Sequence, residues 1–254
     1  MLIKKKWLAL LLTAITVFSL FACLTACDEK RGEEVTAEEW DTAFANLNTD
    51  YMIVEVTSVV YMEKGRMDDA VKCVFNEKEA DSYGTVRHKD WDEFALTWTT
   101  LETYSYETAY KVVDESLFYY PICLIGETEG QWELKHKTGG QEQFNEMKAN
   151  LFKSEYLLFD VFCLGIDMFT YDEEEGFYYK DWTEKIGEEE VKFHQEAVFK
   201  DGEVYEIYTT TNKLVVKDNA MDGESSEKIT FEAEEITLPN EGELIGAILA
   251  TKEK

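Results

Sequence analysis

Residues suited to catalysis are few in this chain of 254 residues. Its three histidines, His88, His136 and His194, form no HExxH, HxH or two-Cys-two-His spacing, so the sequence predicts no metal site. The segment 218–223 resembles a calcium loop only faintly, because Ala220 occupies a ligand position. No GxSxG, GxGxxG or P-loop motif supports hydrolase or nucleotide chemistry. The sequence therefore predicts no catalytic residue, no metal ligand and no cofactor.

The sequence leaves open whether a pair of carboxylates could catalyse glycoside hydrolysis. The chain has 53 acidic residues, so some pair will always lie close together, and their presence decides nothing. Aromatic residues are the other open possibility: stacked on a sheet they could form a platform for a sugar or a peptide, although cross-strand pairs and core are the more frequent use. They are Tyr104, Tyr106, Tyr110, Phe118, Tyr119, Tyr120, Phe177, Tyr178 and Tyr179.

The clearest chemical signal is a cysteine placed to accept a lipid. Lysines at positions 4–6 precede an apolar run at 7–22, which is short for a membrane span and typical of a secretory signal. The segment that follows, Leu24-Thr25-Ala26-Cys27, resembles the lipobox of bacterial lipoproteins. That resemblance implies a diacylglyceryl group on the Cys27 thiol and removal of residues 1–26 by a signal peptidase. Cys23 is a weaker alternative, because bulky Phe21 stands where a small residue is expected.

The charge of the chain limits its partners. With 25 basic and 53 acidic residues the net charge is −28, which would repel phosphate and argues against nucleic-acid binding. An anionic lipid surface would repel the protein too, unless acyl chains at Cys27 hold it there. We therefore expect a lipid-anchored protein on the extracytoplasmic side of a bacterial cell membrane.

Three further cysteines, Cys73, Cys123 and Cys163, lie in apolar neighbourhoods and lack a CxxC partner. Their odd number leaves at least one thiol free in an exported chain. The sequence leaves two alternatives for these cysteines, buried thiols or one disulfide.

The elements around these residues begin with a charged tether at 27–35, followed by a single domain at 36–254. Thr36 and Glu39 form a capping box that predicts a helix carrying Trp40. Alternation and β-branched residues predict a long strand at 51–62 and another strand at 70–76. The spacing of aromatic residues at 91–101 predicts a helix, although its threonines favour a strand.

The second half alternates strand and helix signals. Strands are predicted at 111–113, 116–125 and 131–136, and a helix follows Gly139-Gly140. The apolar segment 156–164 predicts a buried helix. The last third predicts antiparallel strands at 167–171, 177–180, 191–199, 203–211, 213–217 and 228–234. A three-residue loop at 200–202 is expected to join two of them and to set Glu196 opposite Glu206.

The order of these elements, a capped helix, a long strand, a helical insert and acidic hairpins ending at Leu238-Pro239, resembles the LolA/LolB-like lipoprotein carriers and uncharacterised lipoproteins of gut bacteria. The resemblance covers residues 36–239. It implies an α+β fold: a curved antiparallel sheet, or half-barrel, with helices packed on its concave face. It also implies an apolar cavity.

Two function classes follow. The first is a non-enzymatic lipid-anchored protein that binds an apolar ligand or a protein partner. The second is an exported hydrolase acting on glycan or peptidoglycan. A deep apolar groove would favour the first class, and two carboxylates about 5–10 Å apart in a cleft would favour the second.

Overall fold

The computed structural model describes residues 30–63, 65–92, 96–113, 115–125, 135–152, 165–216 and 219–236. The chain divides into two units, Met1–Arg31 and Gly32–Lys254, and all elements named below belong to the second. The predicted signal segment, Cys27 and the predicted helix at 156–164 lie outside the described residues. Within the described part, no helix is long and apolar enough to cross a membrane.

Strands make up most of the described residues. Two α-helices occur among them, α1 (Ala37–Ala45) and α2 (Gly140–Phe152), with a short 3-10 helix at Ile166–Met168. The strands are β1 (Met52–Met62), β2 (Gly65–Phe75), β3 (Glu79–Asp92), β4 (Thr97–Val113), β5 (Ser116–Ile125), β6 (Lys135–Thr138), β7 (Thr170–Asp172), β8 (Phe177–Ile186), β9 (Glu189–Lys200), β10 (Glu203–Thr211), β11 (Leu214–Val216), β12 (Asn219–Met221) and β13 (Gly223–Thr230).

One antiparallel sheet contains eleven of these strands in the order β6-β5-β4-β3-β2-β1-β13-β10-β9-β8-β7. Neighbours in the sheet are mostly neighbours in sequence, as expected for strands joined by hairpins. The pairing of β1 with β13 is the long-range contact that joins the first half of the sheet to the second. Strands β11 and β12 form a separate two-stranded sheet.

The predicted fold class is wrong. The described residues form a large open antiparallel sheet with only two α-helices, and these helices do not pack on a concave face. The half-barrel implied by the resemblance to lipoprotein carriers is therefore not the architecture of this chain.

One helix expected from the sequence, at 91–101, does not form. Its residues form the end of β3 and the start of β4, and Trp91 pairs with Trp98 across the hairpin. Their ring centroids lie 5.4 Å apart in an edge-to-face arrangement. The threonines of this segment favour an extended strand, and the tryptophan pair adds a cross-strand contact. Together they outweigh the helical spacing of the apolar residues, so the segment forms strands.

Helix α1 forms as predicted. The Thr36 hydroxyl accepts the backbone N–H of Glu39, and the Glu39 carboxylate accepts the N–H of Thr36. This helix buries Trp40 completely against Phe199, with ring centroids 4.9 Å apart. Helix α2, predicted after Gly139-Gly140, contributes the fully buried Phe144 to the same hydrophobic core.

The segment that precedes α1 is attached to the sheet. The Glu33 N–H donates to the Phe199 carbonyl at 2.9 Å, and the Val35 side chain is buried. A Cβ at Gly32 would lie 2.5 Å from the Phe199 oxygen, so this close approach requires glycine. Residues 32–35, which the sequence placed in the tether, therefore lie on the folded body.

The hairpin between β9 and β10 differs from its prediction. Its loop has two residues, Asp201 and Gly202, both with positive φ (+52° and +75°), and Lys200 pairs with Glu203. Asp-Gly is the sequence preferred by such a two-residue turn, because both residues tolerate positive φ. The expected three-residue loop is wrong.

A bulge at Tyr205 then shifts the register by one residue. The bulge sets Ala197 opposite Ile207 and Glu196 opposite Tyr208, so the expected pairing of Glu196 with Glu206 does not form. Because the bulge inserts one extra residue, the hairpin can have a two-residue turn and still pair apolar residues with each other further along. Two other strands also begin earlier than predicted, β2 at Gly65 and β13 at Gly223.

Candidate functional site

The sheet has two chemically different faces on β8, β9, β10, β13 and β1. On one face Tyr178, Ala197, Ile207, Ile229 and Val54 lie opposite one another and are all buried in the core. Side chains alternate along a strand, so the residues between them point the other way. A register row on that opposite face, here called the polar row, consists of Asp181, His194, Thr210, Ser226 and Thr57.

A groove of about 520 Å³ lies over the polar row. It is called the polar groove here, and it is lined by the whole polar row together with Lys192, Tyr208, Asn212 and Glu224 among others. Val59 and Phe193 are the apolar residues among the described residues of its lining. Its volume falls within the range of small-molecule sites, which are about 300–1,000 Å³, but those sites are mostly lined by apolar side chains.

His194 stands at one end of the groove with a carboxylate on each ring nitrogen. Its Nδ1 lies 2.8 Å from an Asp181 oxygen, and its Nε2 lies 3.0 Å from a Glu196 oxygen. Burial opposes a charged imidazole, but the hydrogen bonds to Glu196 and Asp181 outweigh it and raise the pKa of His194. A carboxylate accepts from each nitrogen only when both carry hydrogen, so this geometry favours the imidazolium.

The hydroxyl groups of the groove bond to one another. Thr57 Oγ1 and Ser226 Oγ lie 2.7 Å apart. On the core face of the same strands, the buried Thr211 Oγ1 lies 2.9 Å from Ser225 Oγ and donates to the Lys213 carbonyl. A Ser-His relay needs a hydroxyl on an imidazole nitrogen, and both nitrogens of His194 face carboxylates instead. The groove is therefore arranged for hydrogen bonding to a ligand and lacks a serine nucleophile with its base.

Charges of both signs stand at the groove. Lys192 is exposed, and its backbone N–H donates to the Asn212 side-chain oxygen at 2.7 Å. The Asn212 NH2 group keeps its two donors. Glu224 is exposed on β13. Two cationic and two anionic side chains line the groove, Lys192 and His194 against Asp181 and Glu224.

A second cluster of titratable groups lies outside the groove, on β3 and β4. Burial and the neighbouring Asp81 charge raise the pKa of Glu107 to about 7, and the two carboxyls share a hydrogen bond. Burial also raises the pKa of Asp81, whose Oδ1 is buried without a hydrogen-bond donor among the described residues. Asp81 on β3 and Glu107 on β4 lie diagonally opposite each other, displaced by two residues along the strands.

The remaining histidines and cysteines lie elsewhere. His88 makes an edge-to-face contact with Tyr104, with ring centroids 5.9 Å apart. Cys73 is a free thiol that donates to the Ser82 hydroxyl, and burial raises its pKa. The side chains of His136 and Cys123 and the whole of residue 163 lie outside the described part.

Metal ligation finds no support in the geometry. Across the described ranges, no three His, Cys, Asp or Glu side chains are close enough to hold one metal ion. Three of the six residues in the segment that faintly resembled a calcium loop form strand β12, and Asp222 pairs with Lys213 at 2.7 Å.

Most aromatic residues singled out in the sequence serve packing. Tyr178 is buried in the core, and Tyr110 stacks on Tyr119 across β4 and β5, with ring centroids 6.1 Å apart. Tyr179 is the exception closest to the groove, because its ring stacks on His194. The sequence analysis missed Tyr208 and the hydroxyls of the groove. The signal that could have revealed the groove is the serine and threonine residues on the face of three strands opposite the core. That face can be recognised only when the pairing register of the strands is known.

Comparison with known proteins adds no assignment. No protein-family model matches the chain, and no curated protein sequence matches it significantly. The function is therefore argued from the export signal and from the polar groove.

Proposed function

We propose that this protein is a lipid-anchored binding protein on the extracytoplasmic side of a bacterial membrane, and that it holds a polar ligand in the polar groove without altering it covalently. The signal segment at 1–26 and the lipobox ending at Cys27 support export and anchoring. Removal of residues 1–26 takes away three lysines and leaves a net charge of 22 − 53 = −31, and acyl chains at Cys27 would keep this protein at a membrane that otherwise repels it.

The observation that carries the binding role is the state of His194. Both its nitrogens face carboxylates, at 2.8 Å and 3.0 Å, so neither is available as a general base for a nearby hydroxyl. The imidazolium and its two carboxylates instead form a set of charged groups that hydrogen bonds hold together at the end of the groove. Such a preorganised polar surface favours recognition of a ligand.

A polar ligand is favoured over the apolar ligand expected from the sequence. An acyl chain needs an apolar enclosure, whereas the groove presents mainly hydroxyl, amide and charged side chains. Seating a lipid there would remove water from these groups without replacing their hydrogen bonds.

One observation favours the second candidate, an exported hydrolase. Glu107, with its pKa of about 7, could act as a general acid beside Asp81, although the hydrogen bond between the two carboxyls holds them closer than the roughly 5–10 Å that separates the carboxyls of glycosidases. Incubation with purified peptidoglycan and with soluble glycan distinguishes the two candidates. We expect no release of reducing ends above a heat-treated control. If reducing ends are released and Glu107→Gln abolishes that release, the protein is a hydrolase and the proposal of non-catalytic binding is wrong.

Anchoring is tested by a Cys27→Ala variant expressed in cells fed an alkyne-bearing palmitate. We expect the wild-type protein to be labelled and to sediment with membranes, and the variant to lose the label. Cys73→Ala is the matched control, because it removes a half-buried thiol on strand β2, away from the lipobox. Label retained by Cys27→Ala would contradict anchoring at this residue.

A further inference from the structure

We infer that the polar groove binds a neutral oligosaccharide that lies across the strands. This inference rests on the proposed binding function and names its ligand class. The groove offers both hydrogen-bond donors and hydrogen-bond acceptors, and charged side chains of both signs line it. These properties match a ligand rich in hydroxyl groups.

Hydrogen-bonding capacity is the first argument. The hydroxyl pair of Thr57 and Ser226 uses one O–H internally and leaves one donor and several acceptor lone pairs. The Asn212 NH2 group adds two donors, and the carboxylates of Asp181 and Glu224 add acceptors. A sugar hydroxyl both donates and accepts, so it can be satisfied by such a mixture. A simple anion would need an excess of donors, and a cation an excess of acceptors.

Charge is the second argument. Lys192 and His194 face Asp181 and Glu224 in the lining, and Glu196 adds a further carboxylate at His194, so the groove has no excess of positive charge for an anionic ligand. The whole chain has a net charge of −28, which disfavours a polyanionic glycan at long range. A neutral saccharide is disfavoured neither by the charges in the groove nor by the net charge of the chain.

The extent of the polar face is the third argument. The register continues from Thr57 to Ala70, Thr85 and Ser105 on β2, β3 and β4. Neighbouring strands are about 4.8 Å apart, so the row from Thr210 on β10 to Ser105 on β4 crosses five intervals and spans about 24 Å. That length suits a linear chain of several sugar units, and every strand of the row except β2, which contributes Ala70, presents a hydroxyl side chain.

Aromatic side chains flank this row. In the adjacent register row, Tyr208 on β10 lines the groove, and Tyr83 on β3 is exposed. The Tyr83 hydroxyl donates to Ser105 at 3.2 Å, which ties the aromatic residue to the hydroxyl row. A sugar ring presents an apolar face that can lie on an aromatic ring while its hydroxyls bond to the polar row.

The experiment is isothermal titration of the full-length protein in a detergent without a sugar headgroup. The probes are cellohexaose, chitohexaose, maltohexaose and mannohexaose, with hexagalacturonate as the anionic probe and laurate as the apolar probe. We expect at least one neutral hexasaccharide to bind with a Kd below about 1 mM, which corresponds to about −4 kcal/mol. We expect hexagalacturonate to bind at least tenfold more weakly.

Variants locate the site. Replacing both hydroxyls of one pair, with Thr57→Val and Ser226→Ala, should weaken saccharide binding at least tenfold while the thermal melt is retained. Tyr208→Ala should also weaken it. Thr99→Val is the matched control, because Thr99 is an exposed threonine on β4 outside the row, and this variant should bind as the wild type does.

The outcomes separate the two proposals. If none of the four neutral hexasaccharides binds, or if the groove variants bind as well as Thr99→Val, the saccharide inference is overturned. Binding of laurate or hexagalacturonate at the groove in place of the neutral sugars would overturn the ligand class and leave a binding protein. Cleavage of a bound neutral hexasaccharide would support the ligand class and overturn the non-catalytic function.

Discussion

The hydroxyl of Tyr178 bonds to both backbone polar groups of Val35: it accepts the N–H and donates to the carbonyl oxygen, each at 2.8 Å. Tyr178 belongs to the core, where its ring packs edge-to-face on Trp40 with centroids 5.1 Å apart. One side chain therefore links the segment that leads into α1 to strand β8. This link fixes the start of the folded body close in sequence to the proposed anchor at Cys27.

The first prediction concerns this link. Tyr178→Phe removes both hydrogen bonds and leaves the buried backbone groups of Val35 unpaired, so the unfolding free energy should fall by about 2 kcal/mol. At this chain size the loss corresponds to a decrease in melting temperature of about 4–8 °C. Tyr179→Phe is the control, because Tyr179 lies on the opposite face, and its melting temperature should hardly change. Equal melting temperatures for the two variants would show that the link does not stabilise the fold.

The second prediction concerns the carboxyl pair on β3 and β4. The folded pKa of Glu107, about 7, is above its unfolded value of 4.5, so the protein loses stability as the pH rises from about 4.5 to 7. Glu107→Gln should therefore be more stable than wild type at pH 8, by on the order of 1 kcal/mol after solvent screening. At pH 4 the two should be equally stable.

Chemical denaturation at both pH values measures this difference. Glu115→Gln is the control, since Glu115 is an exposed glutamate in the turn after β4. If Glu107→Gln gained no more stability at pH 8 than this control, the raised pKa would be contradicted.

The third prediction concerns the pH dependence of His194. Its folded pKa is raised above the unfolded value of about 6.5, so its stabilising contribution is complete below pH 6.5 and disappears as the pH rises through the folded pKa. His194→Gln should remove this part of the stability profile, whereas His88→Gln should keep it. An NMR titration of the imidazole gives the folded pKa itself. A value at or below 6.5 would contradict the paired geometry with Asp181 and Glu196.

The fourth prediction concerns a glycine under an aromatic ring. A Cβ at Gly84 would lie 2.1 Å from Cζ of Tyr106, which faces it on β4. Gly84→Ala should therefore displace the ring and lower the unfolding free energy by about 1–3 kcal/mol. In a Tyr106→Leu background the same substitution should cost at least about 0.5 kcal/mol less, because the clash is gone. Additive effects in this double-mutant cycle would mean that the ring does not rest on Gly84.

Local signals in the sequence predicted the elements that depend on local chemistry. The capping box at Thr36 places α1, and β-branched alternation places β1, since each signal acts within a few residues. The helix expected at 91–101 was wrong because two local signals conflicted there, and the Trp91–Trp98 contact across the hairpin resolves them. That contact becomes visible only once the strands are paired.

The groove was beyond sequence reasoning for a related reason. Its residues come from β1, β8, β9, β10 and β13, and they meet only through the register of four strand pairs. The bulge at Tyr205 alters that register by one residue, and a one-residue shift moves side chains to the other face. The spacing of the histidines predicted no metal site at His194. Its two carboxylate partners, Asp181 and Glu196, follow from strand pairing and from spacing along β9.

The binding role of the groove can be measured by an amide NMR titration of the full-length protein with the neutral hexasaccharide that binds best. We expect the largest shift changes at Thr57, Thr210 and Ser226 and along the row towards Thr85, with the hexasaccharide recovered intact. Changes confined to the distal β3–β4 hairpin around Trp91 and Trp98, or recovery of shorter sugars, would contradict non-catalytic binding in the polar groove.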